Sequence, residues 1–122
     1  ALLGAAESAS QLRAAVLVVD DDGRLAENTA RGLRRLGFEA ESSNELRPLR
    51  AREILVFDLG MFAGLDAPAR ETVRAARPIV VTGATDPSSR AVASSLKASD
   101  YLVKPIELDE LAAAIRRRMA ED

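Results

Sequence analysis

The sequence predicts an α/β protein in which one parallel sheet lies between two layers of helices. Two observations favour this fold class. Short apolar runs alternate with segments of helical periodicity along all 122 residues. The runs are apolar throughout instead of alternating with polar residues, as expected of strands that are covered on both faces. A composition of 48% hydrophobic residues with a net charge of −2 indicates one folded domain.

The chain begins with a segment of a different composition. Residues 1–14 are rich in alanine and serine and are expected to form a linker or N-terminal extension, which leaves 15–122 as the domain. The first strand is predicted at 16–19. A helix is predicted from 23 to 36 because apolar residues recur there at helical spacing, and Gly37 is a suitable residue to end it. The expected buried stripe of this helix is Leu25, Thr29, Leu33 and Leu36.

The connection between the second and third strands is predicted to be irregular. The second strand is expected at 38–41 and the third at 54–58. Between them, Pro48 lies in the middle of 42–53, and a proline inside a helix costs about 3 kcal/mol. One or two irregular turns are therefore expected there instead of a full helix.

The second half of the chain alternates regularly. After a loop, Asp66 is predicted to cap a helix that runs to about residue 76. Pro78 opens the fourth strand, and the pair Asp86 and Pro87 begins a helix that reaches about residue 96. The fifth strand is predicted at 101–103. The last helix has an apolar face formed by Leu108, Leu111, Ala112, Ile115 and Met119.

Five β/α units in this length fit a flavodoxin-like, doubly wound sheet of strand order 2-1-3-4-5, with shortened second and third helices. In that order the first and third strands are neighbours. Asp20 and Asp21, which follow the first strand, would then face Asp58, which ends the third. Ligands of open α/β sheets bind at the carboxyl ends of the strands, so this edge is the expected site.

The polar residues at four of the strand ends together favour phosphoryl transfer. Clustered carboxylates repel one another and recruit a cation, and hard oxygen ligands favour magnesium. Asp58 is a candidate covalent nucleophile, since a carboxylate can attack phosphorus. Thr82 offers a hydroxyl and Lys104 a point charge for phosphoryl oxygens. Catalysis of phosphoryl transfer needs mainly such positioning and charge neutralisation.

Each of these residues alone has a simpler interpretation. The acidic run after the first strand is commonly a turn and a helix cap, and an aspartate often begins a loop. A threonine or tyrosine in a strand usually reflects β propensity, and a lysine is usually a solvated surface residue. What favours the site is that all the groups stand at strand ends, in the order that the fold requires. The residues concerned are Asp20, Asp21, Asp22, Asp58, Thr82 and Lys104.

Composition excludes several other kinds of chemistry. The chain has no cysteine and no histidine, so it can hold neither a disulfide nor zinc bound through thiolate or imidazole, and it cannot carry a phosphohistidine. No apolar run approaches the length of a membrane span, and a cytoplasmic location is expected. The small negative charge gives no reason to expect contact with nucleic acid or a membrane.

These motifs resemble a bacterial response-regulator receiver domain of two-component signalling, over about residues 16–119. The resemblance is carried by VVDDD at 18–22, VFDLGM at 56–61, VTG at 81–83 and YLVKP at 101–105. It implies that Asp20, Asp21, Asp58 and the backbone carbonyl of Gly60 hold magnesium. It also implies that Asp58 is the phosphoacceptor, that Thr82 and Lys104 assist, and that the Lys104–Pro105 bond is cis.

The resemblance further implies a partner and a switch. The phosphoryl group would come from the phosphohistidine of a histidine kinase or histidine phosphotransfer domain. No enzymatic activity is expected beyond self-phosphorylation and slow self-dephosphorylation. Thr82 would move inward, and Tyr101 would rotate into the vacated space. The face formed by the fourth predicted helix, strand five and the last helix (α4-β5-α5 in the family's order) would change shape, and it is also the expected homodimer contact.

The sequence departs from the family pattern at a few positions. Phe62 stands where a proline is usual, and Lys97 stands where a glycine commonly ends the fourth helix. A lysine in a left-handed cap would cost on the order of 1 kcal/mol. No output domain is expected to follow the last helix, which favours a receiver domain of a hybrid sensor histidine kinase over the head of a DNA-binding regulator. A single-domain regulator is the alternative.

Two other functions were weighed against the phosphoacceptor. A receiver-fold interaction module that needs no phosphate is suggested by the trimmed helices. A phosphatase of the haloacid-dehalogenase type also uses an aspartate after a strand, but it requires a second aspartate two residues later, where this chain has Gly60.

Overall fold

A computed structural model describes residues 14–83 and 87–121 of the chain. The predicted N-terminal linker, apart from Ala14, and the predicted cap Asp86 lie outside the described residues. The described part holds one five-stranded sheet, all parallel, in the order β2-β1-β3-β4-β5, which confirms the predicted doubly wound fold. The strands are β1 (Ala15–Val19), β2 (Glu39–Ser43), β3 (Ile54–Asp58), β4 (Ile79–Thr82) and β5 (Asp100–Val103).

Four α-helices and one 3₁₀ helix are present in the described residues. The loop predicted after β3 is in fact the 3₁₀ helix, Leu59–Gly64. The shortened second helix of the prediction is absent, so the predicted third, fourth and last helices are α2, α3 and α4 here. The α-helices are α1 (Gly23–Arg35), α2 (Ala67–Ala76), α3 (Pro87–Ser95) and α4 (Leu108–Ala120).

The sheet separates two apolar clusters. On one face, Val16 and Val18 of β1 pack with residues of α1 and α4, including Leu33 and Ile115. On the other face, Leu17, Val19 and Phe57 pack with residues of α2 and with the turn that follows α3. Because both faces are covered, β1 and β3 are buried along almost their whole length, which explains their unbroken apolar sequences.

The predicted buried stripe of α1 is wrong at most positions. Leu33 is fully buried, but Leu25 and Leu36 are 37% and 41% exposed. Ala26 and Ala30 are the other buried residues of this helix. Small side chains let the helix approach the sheet closely, and Gly32 serves the same purpose toward α4, since a Cβ there would lie 3.0 Å from a side-chain carbon of Leu108.

The connection from β2 to β3 contains no helix, as Pro48 predicts. Strand β2 extends to Ser43 instead of ending at Glu41, because its parallel pairing with β1 continues through Val18 and Val19. The following segment is held by ion pairs. The guanidinium of Arg47 binds both carboxylate oxygens of Glu53 at 2.8 Å.

Two turns and one peptide bond follow the sequence predictions. Gly37 has a φ of +97° after α1, a conformation that suits glycine. Lys97 ends the turn after α3 with a φ of 56°, in the predicted left-handed cap. The Lys104–Pro105 bond is cis, as the resemblance implies.

Across 14–83 and 87–121, no helix has both the length and the apolar character that a membrane crossing requires.

Candidate functional site

The candidate site lies at the carboxyl edge of the sheet, where β1, β3, β4 and β5 end side by side. Asp20 follows β1 directly, Asp58 and Thr82 are the last residues of β3 and β4, and Lys104 follows β5. The parallel register aligns these ends, with Val19 opposite Phe57 and Thr82 opposite Val103. The fold thus brings together residues that are up to 84 positions apart in the chain.

Asp20 is the most firmly held carboxylate of the site. It is only 6% exposed. One carboxylate oxygen accepts a hydrogen bond from the backbone N–H of Asp22 at 2.9 Å, and the other accepts one from Nζ of Lys104 at 2.9 Å. Burial alone would raise the pKa of Asp20, but these hydrogen bonds outweigh it, and the pKa is lowered. Asp20 is therefore ionised at neutral pH.

The next two aspartates have different environments and different roles. Asp21 is exposed, but one of its carboxylate oxygens lies within 4.8 Å of those of Asp20 and Asp58. Asp22 turns away to cap α1, where it accepts hydrogen bonds from the N–H groups of Arg24 and Leu25. The cap interpretation of this acidic run therefore holds for Asp22, and the turn interpretation for Asp20, which also contributes to the carboxylate cluster.

Asp58 is buried at 8% exposure and faces the first pair of acids. Its Oδ1 accepts a hydrogen bond of 3.4 Å from the N–H of Gly60 and lies 3.6 Å from Nζ of Lys104. Burial, followed by the negative charge of Asp20, raises the pKa of Asp58, and Lys104 opposes this shift only in part. Asp20 has a lowered pKa and Asp58 a raised one, so added positive charge would act mainly by lowering the pKa of Asp58.

Lys104 links the two buried carboxylates. Burial by itself would lower its pKa, but the hydrogen bond to Asp20 and the charge of Asp58 raise it, so the ammonium group is retained. The side chain of Lys104 is 26% exposed, which leaves it room to move within the site. Its backbone N–H donates to the carbonyl of Thr82 at 2.8 Å, which ties the end of β5 to the end of β4.

Thr82 lies at the inner side of the site and is only 4% exposed. It lines a cavity of about 300 Å³, together with Leu59, Gly60 and residues at the start of α3. Gly60 has no side chain facing the carboxylate of Asp58. A Cβ added at Gly60 would lie 3.6 and 3.7 Å from the two carboxylate oxygens. The surroundings of Asp58 therefore leave space for an added group.

The three clustered carboxylates fit a hard divalent cation. Oxygens of Asp20, Asp21 and Asp58 lie within 4.8 Å of one another. Oxygen-only ligands of this charge suit Mg²⁺ or Ca²⁺ better than a transition metal that prefers nitrogen or sulfur. The structure therefore brings together the predicted site residues from the ends of β1, β3, β4 and β5, including Gly60.

Tyr101 lies two register positions from Thr82, on β5 opposite Val80. It is half-buried against the same apolar cluster as Phe57. The guanidinium carbon of Arg90, in α3, lies 5.0 Å from the centre of the tyrosine ring. Arg90 was not predicted, because an arginine in a weakly amphipathic helix gives no signal of its partner.

A backbone contact of the site was also not predicted. The carbonyl of Ser43 accepts the N–H of Asp20 at 3.1 Å, and such a contact depends on strand register alone.

Comparison with known proteins agrees with the predicted resemblance. No family profile matches the chain. It is 29% identical over 110 residues to the photosynthetic apparatus regulatory protein RegA of Rhodovulum sulfidophilum, covering 82% of this chain and 60% of that protein. It is 30% identical over 116 residues to the acid tolerance regulatory protein ActR of Rhizobium meliloti, covering 87% of this chain and 60% of that protein. The chain thus spans somewhat more than half the length of these relatives.

A solved structure gives the same result for the fold. A response regulator from Burkholderia pseudomallei, whose crystal structure has a phosphorylated aspartic acid, a calcium ion and citrate, superposes with a TM-score of 0.67 at 24% identity. The match covers 88% of this chain and 69% of that one. The relatives are response regulators and the structural neighbours include receiver domains, so the resemblance inferred from the sequence is confirmed.

Proposed function

We propose that this chain, a receiver domain of the response-regulator kind, accepts a phosphoryl group on Asp58 from the phosphohistidine of a partner protein. The observation that carries the proposal is the placement of a buried carboxylate, an ammonium group and two further carboxylates within one small volume. The phosphorylated aspartic acid in the Burkholderia pseudomallei neighbour supports it. The partner is a histidine kinase or a histidine phosphotransfer domain, since the chain itself has no histidine.

Asp58 is the nucleophile in this proposal. A carboxylate oxygen forms a bond to phosphorus while the phosphorus–nitrogen bond of the donor breaks, and the electron pair of that bond stays on the imidazole nitrogen. The raised pKa of Asp58 reflects burial and the nearby charge of Asp20, and a cation beside it would favour the ionised form. The missing Cβ at Gly60 keeps the approach to the carboxylate open.

Asp20, Asp21 and Asp58 would hold the cation, together with the backbone carbonyl of Gly60, and we propose that it is magnesium. When bound, magnesium neutralises charge on the phosphoryl oxygens. The calcium ion in the Burkholderia pseudomallei neighbour supports a divalent cation of this hard, oxygen-binding class. Asp20 is prepared for this role because its lowered pKa keeps it ionised.

Lys104 and Thr82 would receive the phosphoryl oxygens. Nζ of Lys104 lies 3.6 Å from Asp58 and is 26% exposed, so it can follow a phosphoryl group placed on that residue. Thr82 lines the cavity of about 300 Å³ that also borders Gly60, two residues after Asp58. The bound phosphoryl group carries a charge of about −2, which would attract both groups and pull the end of β4 inward. The surface formed by α3, β5 and α4, which we call the β5 face, would then change shape and is the proposed homodimer contact.

The test is phosphorylation of the purified chain with acetyl phosphate and magnesium, followed by intact mass measurement. The expected result is a mass increase of one phosphoryl group that is abolished in Asp58→Asn. Asp66→Asn is the matched control, because Asp66 is an exposed carboxylate that caps the nearby helix α2, and an asparagine can still cap it. If the wild type gains no mass under conditions where it binds magnesium, a receiver-fold interaction module that needs no phosphate becomes the better assignment. Steady turnover of a generic phosphate ester would instead indicate a phosphatase.

A further inference from the structure

Tyr101 is linked to two helices, to one through its backbone and to the other through its ring. Its backbone N–H donates to Oδ1 of Asp100 at 2.9 Å, and the other carboxylate oxygen of Asp100 accepts a hydrogen bond from Arg117 of α4 at 2.6 Å. On the opposite side, the guanidinium carbon of Arg90 in α3 lies 5.0 Å from the ring centre. The backbone of Tyr101 is therefore fixed toward α4, and its ring contacts α3.

The two helices differ in how firmly they are attached to the sheet. Four residues of α4 are buried: Leu111, Ala112, Ala114 and Ile115. Within α3, only Ala93 is buried among the described residues. An element with few buried apolar contacts opens or shifts at low cost in free energy. The contact of Arg90 with the ring of Tyr101 can therefore contribute to what holds this side of the β5 face in place.

The ring lies next to the part of the sheet that phosphorylation would move. Tyr101 pairs with Val80, and Thr82 follows two residues later on the same face of β4. A cation over an aromatic ring at an exposed site favours that arrangement about two- to fivefold. For the ring to turn toward Thr82, it must leave the guanidinium of Arg90. Arg90 thus opposes the rotation, while Asp100 and Arg117 fix the point about which it occurs.

We propose that Arg90 is a positioning residue that holds Tyr101 in its present place and thereby sets how readily the β5 face switches. Its effect on the ring is a property of the unmodified chain. Its effect on switching rests on the proposed phosphorylation of Asp58. By reciprocity, a group that stabilises the unswitched arrangement weakens the binding of any ligand that prefers the switched one, by the same factor.

The chain offers a direct readout of this ring. It contains one tyrosine and no tryptophan, so its intrinsic fluorescence comes from Tyr101 alone. Acrylamide quenching of that fluorescence should be compared in the wild type, Arg90→Gln and Arg90→Lys. Arg31→Gln is the matched control, since Arg31 is an exposed arginine of α1 on the other face of the sheet. Titration with beryllium fluoride and magnesium, a mimic of the phosphorylated state, supplies the second measurement.

We expect Arg90→Gln to change the quenching of Tyr101 and to tighten the binding of beryllium fluoride about two- to fivefold. Arg90→Lys should restore part of both effects, because an ammonium group can also lie over the ring, and Arg31→Gln should change neither. Quenching and affinity that are both unaltered in Arg90→Gln would overturn the proposal. If the wild type does not respond to beryllium fluoride at all, the phosphoacceptor function fails, and the quenching comparison still decides whether Arg90 holds the ring.

Discussion

Replacing Lys104 by methionine should strengthen cation binding at the site and weaken phosphorylation at the same time. Nζ of Lys104 lies 2.9 Å from Oδ2 of Asp20 and 3.6 Å from Oδ1 of Asp58. It therefore neutralises part of the charge that a divalent cation needs, and it repels that cation. Methionine keeps a similar length of apolar side chain and removes only the charge and the hydrogen bonds.

The size of the effect follows from these distances. With a magnesium–oxygen bond of about 2.1 Å, a cation bound to the same oxygen of Asp20, Oδ2, would lie at most about 5 Å from Nζ, which is 2.9 Å from that oxygen. A double and a single charge at that distance repel by about 1.7 kcal/mol in water-like surroundings. Because the side chain of Lys104 is 26% exposed, we take the water-like value as the lower figure for this repulsion. We therefore expect Lys104→Met to bind magnesium about tenfold more tightly or better.

Calorimetric titration with magnesium chloride at constant ionic strength measures this change. Lys97→Met is the matched control, because Lys97 is exposed, lies after α3 at the opposite edge of the sheet, and carries the same charge. In the same samples, phosphorylation by acetyl phosphate should slow markedly in Lys104→Met. Equal or weaker magnesium affinity in Lys104→Met than in the wild type would refute the argument that Lys104 and the cation compete for Asp20.

Three further outcomes are expected. Asp20→Asn should lower magnesium affinity at least about tenfold by calorimetry while Asp22→Asn leaves it nearly unchanged, since only the first contributes to the carboxylate cluster. Burial would raise the pKa of Glu53, but the ion pair with Arg47 outweighs it and lowers the pKa below 4.5. The ionised form therefore stabilises the fold above pH 4.5, and this contribution is lost as the pH falls through the lowered pKa. Urea denaturation should therefore show Glu53→Gln to be about 1–3 kcal/mol less stable than the wild type near neutral pH, with a smaller gap in acid. Gly37→Ala should lose about 1 kcal/mol in the same assay, because φ is +97°, whereas Gly64→Ala, with open space around it, should change little.

The site was predictable because its residues stand at positions that the fold alone determines. Once the apolar runs are taken as parallel strands, the polar residue after each run must lie at one edge, whatever the helices do. The sequence could not show that Asp20 and Lys104 form the closest ion pair of the cluster, at 2.9 Å. That choice depends on side-chain reach across the sheet from β5 to β1, with β4 and β3 between them, and no local pattern carries this information.

The errors on α1 have a clear physical cause. Periodicity was counted on large apolar residues, so Leu25 and Leu36 were expected to be buried, whereas Ala26 and Ala30 face the sheet. Alanine is a weak indicator of burial because it is also the best helix former on an exposed face. In a chain this rich in alanine, helix existence could be predicted well and helix orientation poorly. The cation–π contact of Arg90 escaped prediction for a related reason, since an exposed arginine is compatible with almost any neighbour.

The missing helix between β2 and β3 leaves the chemistry of the site intact because of where β2 lies. β2 is the edge strand, and the carbonyl of its last residue, Ser43, accepts the N–H of Asp20. The helix-free segment is anchored by the two hydrogen bonds between Arg47 and Glu53, whose side chain is 2% exposed, so the register of β3 and the position of Asp58 are kept. What changes is the outer surface beside α2, where a cavity of about 560 Å³ borders the segment. The absence of a helix here therefore alters the surface that a partner could contact, while the four strand ends that hold the carboxylate cluster and Lys104 stay in register.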